Sequence, residues 1–184
     1  EIAEKLGARI IVTTCAGCYR TWSIDYKETY AELLGAEIVQ KLQKFVILHT
    51  SMLLAKLMKE GKLVPRKIVE LRAAYHDPCH LGRHAGVYDE PRKVLKGIPG
   101  VELVEPPRSR ELAWCCGSGG GVKSANPDFA LETAYERIKE AEGLGVDAIV
   151  SACPFCYRNI RDAIEKYKSK LKMYDLVEVV NKAL

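Results

Sequence analysis

The sequence predicts an α/β fold in two pseudo-symmetric lobes with mainly parallel sheets. Two observations predict it. Short β-branched apolar runs alternate with helical patterns along the chain, the alternation that builds parallel sheets with helical crossovers. Two segments, beginning at Gly7 and Gly145, also match almost residue for residue, 138 positions apart. Each reads as a Gly, a β-branched run and small hydroxyl residues. Then comes Cys15-Ala-Gly-Cys18-Tyr19-Arg20 in the first copy and Cys153-Pro-Phe-Cys156-Tyr157-Arg158 in the second. Such self-similarity marks a duplicated unit. The boundary is placed so that residues 1–72 form one lobe and 73–184 the other.

The elements follow in order. A helix is expected over 1–6 and a buried-type strand over 9–14, ending at the first cysteine. The next helix carries Tyr19, Trp22, Tyr26, Tyr30 and Leu33 on one face, read as core packing. A strand over 44–49 leads to a helix over 52–60, ending near Gly61. Residues 73–76 read as a strand stopped by Asp77-Pro78, 90–96 as a short helix and 101–104 as a strand. Asn126 is a good N-cap with Pro127 as first helical residue, so a helix should run to about 142 and stop at Gly143 or Gly145. In the second copy a strand ends at Cys153, and Pro154 opens a helix. Its apolar stripe is Tyr157, Ile160, Ile164, Tyr167 and Leu171.

Bulk properties exclude several classes of function. With 184 residues, 48% apolar and 28% charged, the chain is that of a globular protein of one domain or two small ones. A net charge of +4, with no Lys/Arg stripe interleaved with aromatics, argues against nucleic-acid binding. The longest apolar runs are strand-sized, which argues against a membrane span. The chain opens at Glu1 without Met, inside a helical pattern, and reads as a fragment of a longer protein. No secretion signal is read there, so a reducing cytoplasm is expected, at most at the periphery of a membrane complex.

The chemistry lies in seven cysteines. Cys79 stands alone, Cys115-Cys116 runs into Gly117, and Cys153 and Cys156 form one Cys-x-x-Cys as Cys15 and Cys18 form another. An odd count disfavours a disulfide framework, and thiolates at such spacings hold soft metals or iron–sulfur clusters. Each group falls where a strand gives way to a loop or helix, the end of an α/β sheet where sites form. A helix N-terminus favours thiolates at Cys153 and Cys156. The run from Gly117 to Gly121 lets backbone N–H groups approach a cluster. It is not a phosphate loop or a dinucleotide fingerprint, because Val122 stands where either needs a small residue. Two other readings stay open on the residues alone. Four of the thiolates could hold a structural or assembly zinc, and one Cys-x-x-Cys could act as a thioredoxin-like dithiol.

The histidines carry a weaker signal. His76, His80 and His84 bracket Cys79 at spacings of four. They are read chiefly as structural or supporting groups. His80, beside Cys79, is the candidate proton donor to a bound thiolate, and Arg83 is read as solvated.

Cys79, then Cys115-Cys116-Gly117, then Cys153-Pro-Phe-Cys156 resembles the cysteine-rich CCG domain. That domain occurs in two types of heterodisulfide reductase catalytic subunit. It also occurs in iron–sulfur subunits of glycolate, lactate and anaerobic glycerol-3-phosphate oxidation. The flanks His76-Asp77-Pro78-Cys79-His80-Leu81-Gly82-Arg83 and Trp114-Cys115-Cys116-Gly117-Ser118-Gly119 match too. The resemblance implies an oxidoreductase working within a larger complex. Cys79, Cys115, Cys116, Cys153 and Cys156 would be the five ligands of a noncubane [4Fe-4S] cluster, used for electron transfer and disulfide reduction. Its partners would be other redox subunits or an upstream ferredoxin-type domain as electron donor. The substrate would be a thiol, a disulfide or a hydroxyacid-pathway compound. The first motif keeps only Cys15 and Cys18, so the first lobe is expected to be incomplete and those two cysteines to form half a metal site.

Overall fold

The computed structural model describes residues 1–184. In chain order the first part comprises α1 (Ile2–Lys5), β1 (Ile10–Thr13), α2 (Ala16–Arg20), α3 (Ala31–Leu34), α4 (Ala36–Gln43), β2 (Val46–His49) and α5 (Thr50–Lys59). Then come β3 (Leu71–His76), α6 (Asp89–Lys96), β4 (Val101–Val104), α7 (Val122–Ala125), α8 (Pro127–Gly143), β5 (Ala148–Ser151), α9 (Pro154–Tyr167), β6 (Lys172–Asp175) and α10 (Leu176–Ala183). The strands form two sheets, one of order β1-β2 and one of order β4-β3-β5-β6, and every pairing is parallel. The expected α/β class with parallel sheets is the observed one.

The repeat is visible in strand register. Residues 10–13 of β1 pair with 46–49 of β2 as residues 148–151 of β5 pair with 172–175 of β6. Equivalent residues of the two copies therefore start equivalent ladders. A helix follows each second strand directly, α5 capped by His49 and α10 by Asp175. In the second copy Glu178 completes a capping box with Asp175.

The main core lies on the four-stranded sheet. Ala73, Tyr75, Ala148 and Val150 are fully covered, and α8 and α9 pack there through Ala134, Ile138, Ile160 and Ala163, each fully buried. Every residue of β5 is buried, as expected for a central parallel strand covered on both faces. β1, its counterpart, has no neighbour on the edge away from β2, and its Ile10 and Val12 are 49% and 42% exposed.

The first-copy helix departs from expectation. It stops at Arg20, widens into a π-helical turn over Thr21–Asp25, and only resumes as the short α3. Tyr19 is buried, whereas Tyr30 is 43% and Leu33 84% exposed, so the five-residue stripe is not one buried face. Its counterpart α9 is held by α8, and α2 has no such partner. An amphipathic pattern forms a long helix only where its apolar face is covered. Leu171 likewise lies outside α9, which ends where Lys168 takes a left-handed conformation at φ 54°. Four elements, α4, α7, β6 and α10, add to those expected.

Candidate metal centre

Four strand ends and their loops converge on one cavity of about 130 Å3. Cys79, His80, Cys115, Cys116, Cys153 and Cys156 line it, together with backbone at Gly119 and Gly120. All five cysteines expected to act together thus line the same cavity, with His80 among them. Cys116, Cys153 and Cys156 are buried, while Cys79 and Cys115 are half-buried and face each other at 3.9 Å.

Each loop is held by polar contacts made by neighbouring residues. Cys79 follows β3 through Asp77-Pro78. The Asp77 carboxylate is 2% exposed and accepts two hydrogen bonds from Arg92, at 2.7 and 2.9 Å, and one from the Arg110 backbone N–H at 2.8 Å. Arg92 also donates to both oxygens of Glu105, so one guanidinium ties β3, α6 and the segment after β4 together. Its pKa is raised: burial opposes its charge, and the two carboxylates outweigh that penalty.

The Cys115-Cys116 turn is anchored on both sides. Arg83 donates to the carbonyls of Glu111 and Ala113, and Arg108 stacks over the Trp114 ring at 3.6 Å. Arg83 is therefore a clamp on this turn while staying exposed to solvent. Gly117 has φ +83°, and a Cβ there would come within 2.7 Å of Thr133 and 3.0 Å of the Ala130 carbonyl. The turn can close onto α8 only with glycine. Its N–H then donates to the Cys115 sulfur at 3.4 Å, the backbone-to-sulfur contact expected of the glycine run. Cys153 is the N-cap of α9, with Pro154 in the first turn and Cys156 one turn along.

Cys15 is drawn to this same group. It is the N-cap of α2 as Cys153 is of α9, and its thiol is electrostatically coupled to that of Cys153. Electrostatic coupling links six sulfurs in a file running Cys79, Cys115, Cys116, Cys156, Cys153, Cys15, of which Cys79 and Cys115 are in contact at 3.9 Å. Only Cys18 is exposed and outside it.

The file titrates as a unit. Cys115 is pushed down to about 2, first by hydrogen bonding from Cys116 and then from Cys79. Cys153 is pushed down to about 2, first by Cys15 and then by Cys156. The donors move the other way. Cys116 is pushed up to about 12 by its bond to Cys115, and Cys79, Cys156 and Cys15 are raised, chiefly by their own sulfur partners. Sulfur neighbours outweigh the backbone N–H groups at the α9 N-terminus, which also lower Cys153. Six sulfurs this close cannot all ionise without a cation, and a bound metal centre would supply that charge.

Two buried histidines flank the sulfurs. His49, 1% exposed, ends β2, and its Nδ1 accepts from the Ser51 N–H at 3.2 Å. Burial pushes it down to about 4. His76, 2% exposed, ends β3, and burial, with Arg137 next, pushes it down to about 4. Neither His76 ring nitrogen has a partner. Its ring nitrogen and the sulfurs of Cys116 and Cys156 lie within 4.8 Å of one another. The sequence singled out His80 as the proton donor and read His76 as a structural or supporting group. The only sequence signal for it was its place three residues before Cys79. Asn159, which binds the Cys116 carbonyl, had no signal beyond standing three residues after Cys156.

The residues fit an iron–sulfur cluster on their chemistry. Five thiols line one small cavity, a glycine turn aims an N–H at sulfur, and a buried imidazole beside them lacks any partner. Cysteine thiolates are the usual holders of such clusters.

Comparison with known proteins agrees. The cysteine-rich CCG domain model matches residues 73–161. Over its whole length the chain is 42% identical to one subunit of the dihydromethanophenazine:CoB–CoM heterodisulfide reductase of Methanosarcina mazei, of which it covers 43%. Over 96% of its length it is 38% identical to one subunit of the fumarate reductase (CoM/CoB) of Methanothermobacter marburgensis, covering 33% of it. Over 73% of its length it is also 38% identical to a probable iron-sulfur-binding oxidoreductase of Bacillus subtilis, covering 19% of it. The chain spans less than half the length of each of these relatives. Residues 73–161 carry the cysteine-rich CCG domain, and all five cysteines that line the cavity lie within it.

Proposed function

We propose that this chain is part of an iron–sulfur oxidoreductase subunit of the heterodisulfide reductase kind, and that Cys79, Cys115, Cys116, Cys153 and Cys156 hold a noncubane [4Fe-4S] cluster. The convergence of these five sulfurs on one 130 Å3 cavity carries the reading. The cluster would supply one-electron redox chemistry at the cavity. The chain's own residues supply the rest. Gly117 N–H donates to the Cys115 sulfur, Arg92 and Asn159 hold the ligand loops, and His80 lines the mouth where it can hand a proton to a substrate thiolate. A thiol–disulfide substrate suits a sulfur-lined cavity, and relatives that are subunits of redox enzymes support partner redox proteins as electron donors. The division into lobes 1–72 and 73–184 is part of the same reading; the presence of two separate sheets supports two lobes, although the boundary itself falls within β3. No helix is long and apolar enough to cross a membrane. A cytoplasmic location, at most at the periphery of a membrane complex, is part of the same reading.

The test is anaerobic reconstitution followed by iron, zinc and acid-labile sulfide analysis and EPR. About four irons with matching sulfide per chain supports the proposal. Zinc alone, with no sulfide, means a structural zinc module and ends it.

A further inference from the structure

His76 is the last residue of β3, and its backbone carbonyl accepts from Ser151 Oγ at 3.1 Å, which fixes the strand ends. Its ring is sealed from solvent. A neutral imidazole carries one N–H donor and one acceptor nitrogen. Leaving a buried donor unpaired costs about 1–3 kcal/mol, so the position asks for an acceptor.

The surroundings of the ring differ on its two sides. A void of about 10 Å3 is lined by His76 and Arg137 among others. A guanidinium has donors and no acceptor, so a nitrogen facing it must be the unprotonated one. Cys116 and Cys156 do not line that void; they line the larger cavity, and their sulfurs lie within 4.8 Å of the His76 ring nitrogen. Once those cysteines are ligands they are thiolates, the strongest acceptors within reach.

We infer that His76 donates its ring N–H to the ligand sulfurs of Cys116 and Cys156 and thereby raises the reduction potential of the metal centre. The inference rests on the iron–sulfur reading of this site. A hydrogen bond to a cluster sulfur stabilises the more electron-rich reduced state, and such bonds are among the levers that set cluster potential. His76 is a positioning and tuning residue, distinct from the thiolates that touch the metal.

The experiment compares wild type, His76→Gln and His76→Leu, reconstituted anaerobically, with iron and sulfide measured first. EPR-monitored redox titration then reads the midpoint. His76→Leu should lower the reduction equilibrium about tenfold, near 59 mV for one electron. His76→Gln, which keeps an N–H donor, should hold most of the wild-type value. Pulsed EPR on protein labelled with 15N-histidine should show a weak nitrogen coupling that disappears in His76→Gln. This pair decides the matter even if His76→Leu does not fold. Full iron and sulfide with an unmoved midpoint in His76→Leu overturns the inference alone. So does a nitrogen coupling strong enough for direct ligation. A wild-type chain that takes up no iron overturns the iron–sulfur reading along with it.

Discussion

The side-chain amide of Asn159 donates to the carbonyl of Cys116 at 2.6 Å. The same nitrogen donates to the Ala130 carbonyl at 2.9 Å, so one fully buried side chain joins α9, α8 and the Cys115-Cys116 turn. Two ligand groups far apart in sequence are held at a fixed separation by this bond. Asn159→Ala should cost about 3 kcal/mol by stranding both carbonyls, and should lower iron uptake. Asn159→Asp, with no donor, should be worse. Denaturant unfolding of the apo chain and iron per chain after reconstitution provide the check. An unchanged midpoint with full iron would show that the turn holds itself.

Arg92 and Asp77 form a buried pair just ahead of Cys79. Removing one partner leaves a charge uncompensated inside the protein, a loss of about 3–5 kcal/mol. Arg92→Met should therefore destabilise strongly, and Asp77→Asn alone nearly as much. The double variant should recover part of the loss. A double-mutant cycle by thermal unfolding measures the coupling, and additive losses would mean that the pair does not act as one unit.

Gly117→Ala and Gly119→Ala test whether the glycine run is a requirement of space or of composition. An alanine at Gly117 meets Thr133 and must hold φ +83°, whereas one at Gly119 meets nothing within 4 Å. The first should cost about 2 kcal/mol from the left-handed strain alone, with the contact added, and should impair metal uptake. The second should be close to neutral. Equal effects of the two variants would contradict this account.

His49 sets an acid limit on the apo chain. Its folded pKa is depressed to about 4 from an ordinary 6.5. Between these values the unfolded chain binds more protons than the folded one, so stability rises with pH through that window. The contribution is complete above about 6.5 and is lost as pH falls towards 4, amounting to about 3 kcal/mol at most. Protonation also removes the Nδ1 acceptor that caps α5. The slope of unfolding free energy against pH from 4 to 7 should shrink in His49→Asn, and an identical slope would rule His49 out as its source.

Cys15 and Cys116 should behave differently. The Cys15 thiol is the largest cause of the depressed Cys153 pKa. In apo Cys15→Ala, the thiolate ultraviolet absorbance assigned to Cys153 should therefore appear at higher pH. Reconstituted Cys15→Ala should still hold about four irons, while Cys116→Ser should lose most of its iron because the site assembles cooperatively. Loss of half the iron on removing Cys15 would make it a ligand.

The sequence by itself determined the α/β class and the duplicated unit, through short apolar runs alternating with helical patterns and the Asn126-Pro127 cap. The set of five candidate ligands came from its resemblance to the CCG domain. The ladder equivalence of Ile10–Thr13 and Ala148–Ser151 follows from that repeat. Tertiary structure decided what depends on neighbours remote in the chain. The aromatic stripe from Tyr19 to Leu33 breaks because no helix covers it, although its periodicity equals that of α9. Cys15 and Cys18 are a matched motif, yet Cys15 is half-buried and coupled to Cys153 while Cys18 is exposed. His76 and His80 are equally plausible beside Cys79 in the sequence. Burial, set by side chains from β5, α8 and α9, is what separates a sealed ring facing two sulfurs from one at the cavity mouth.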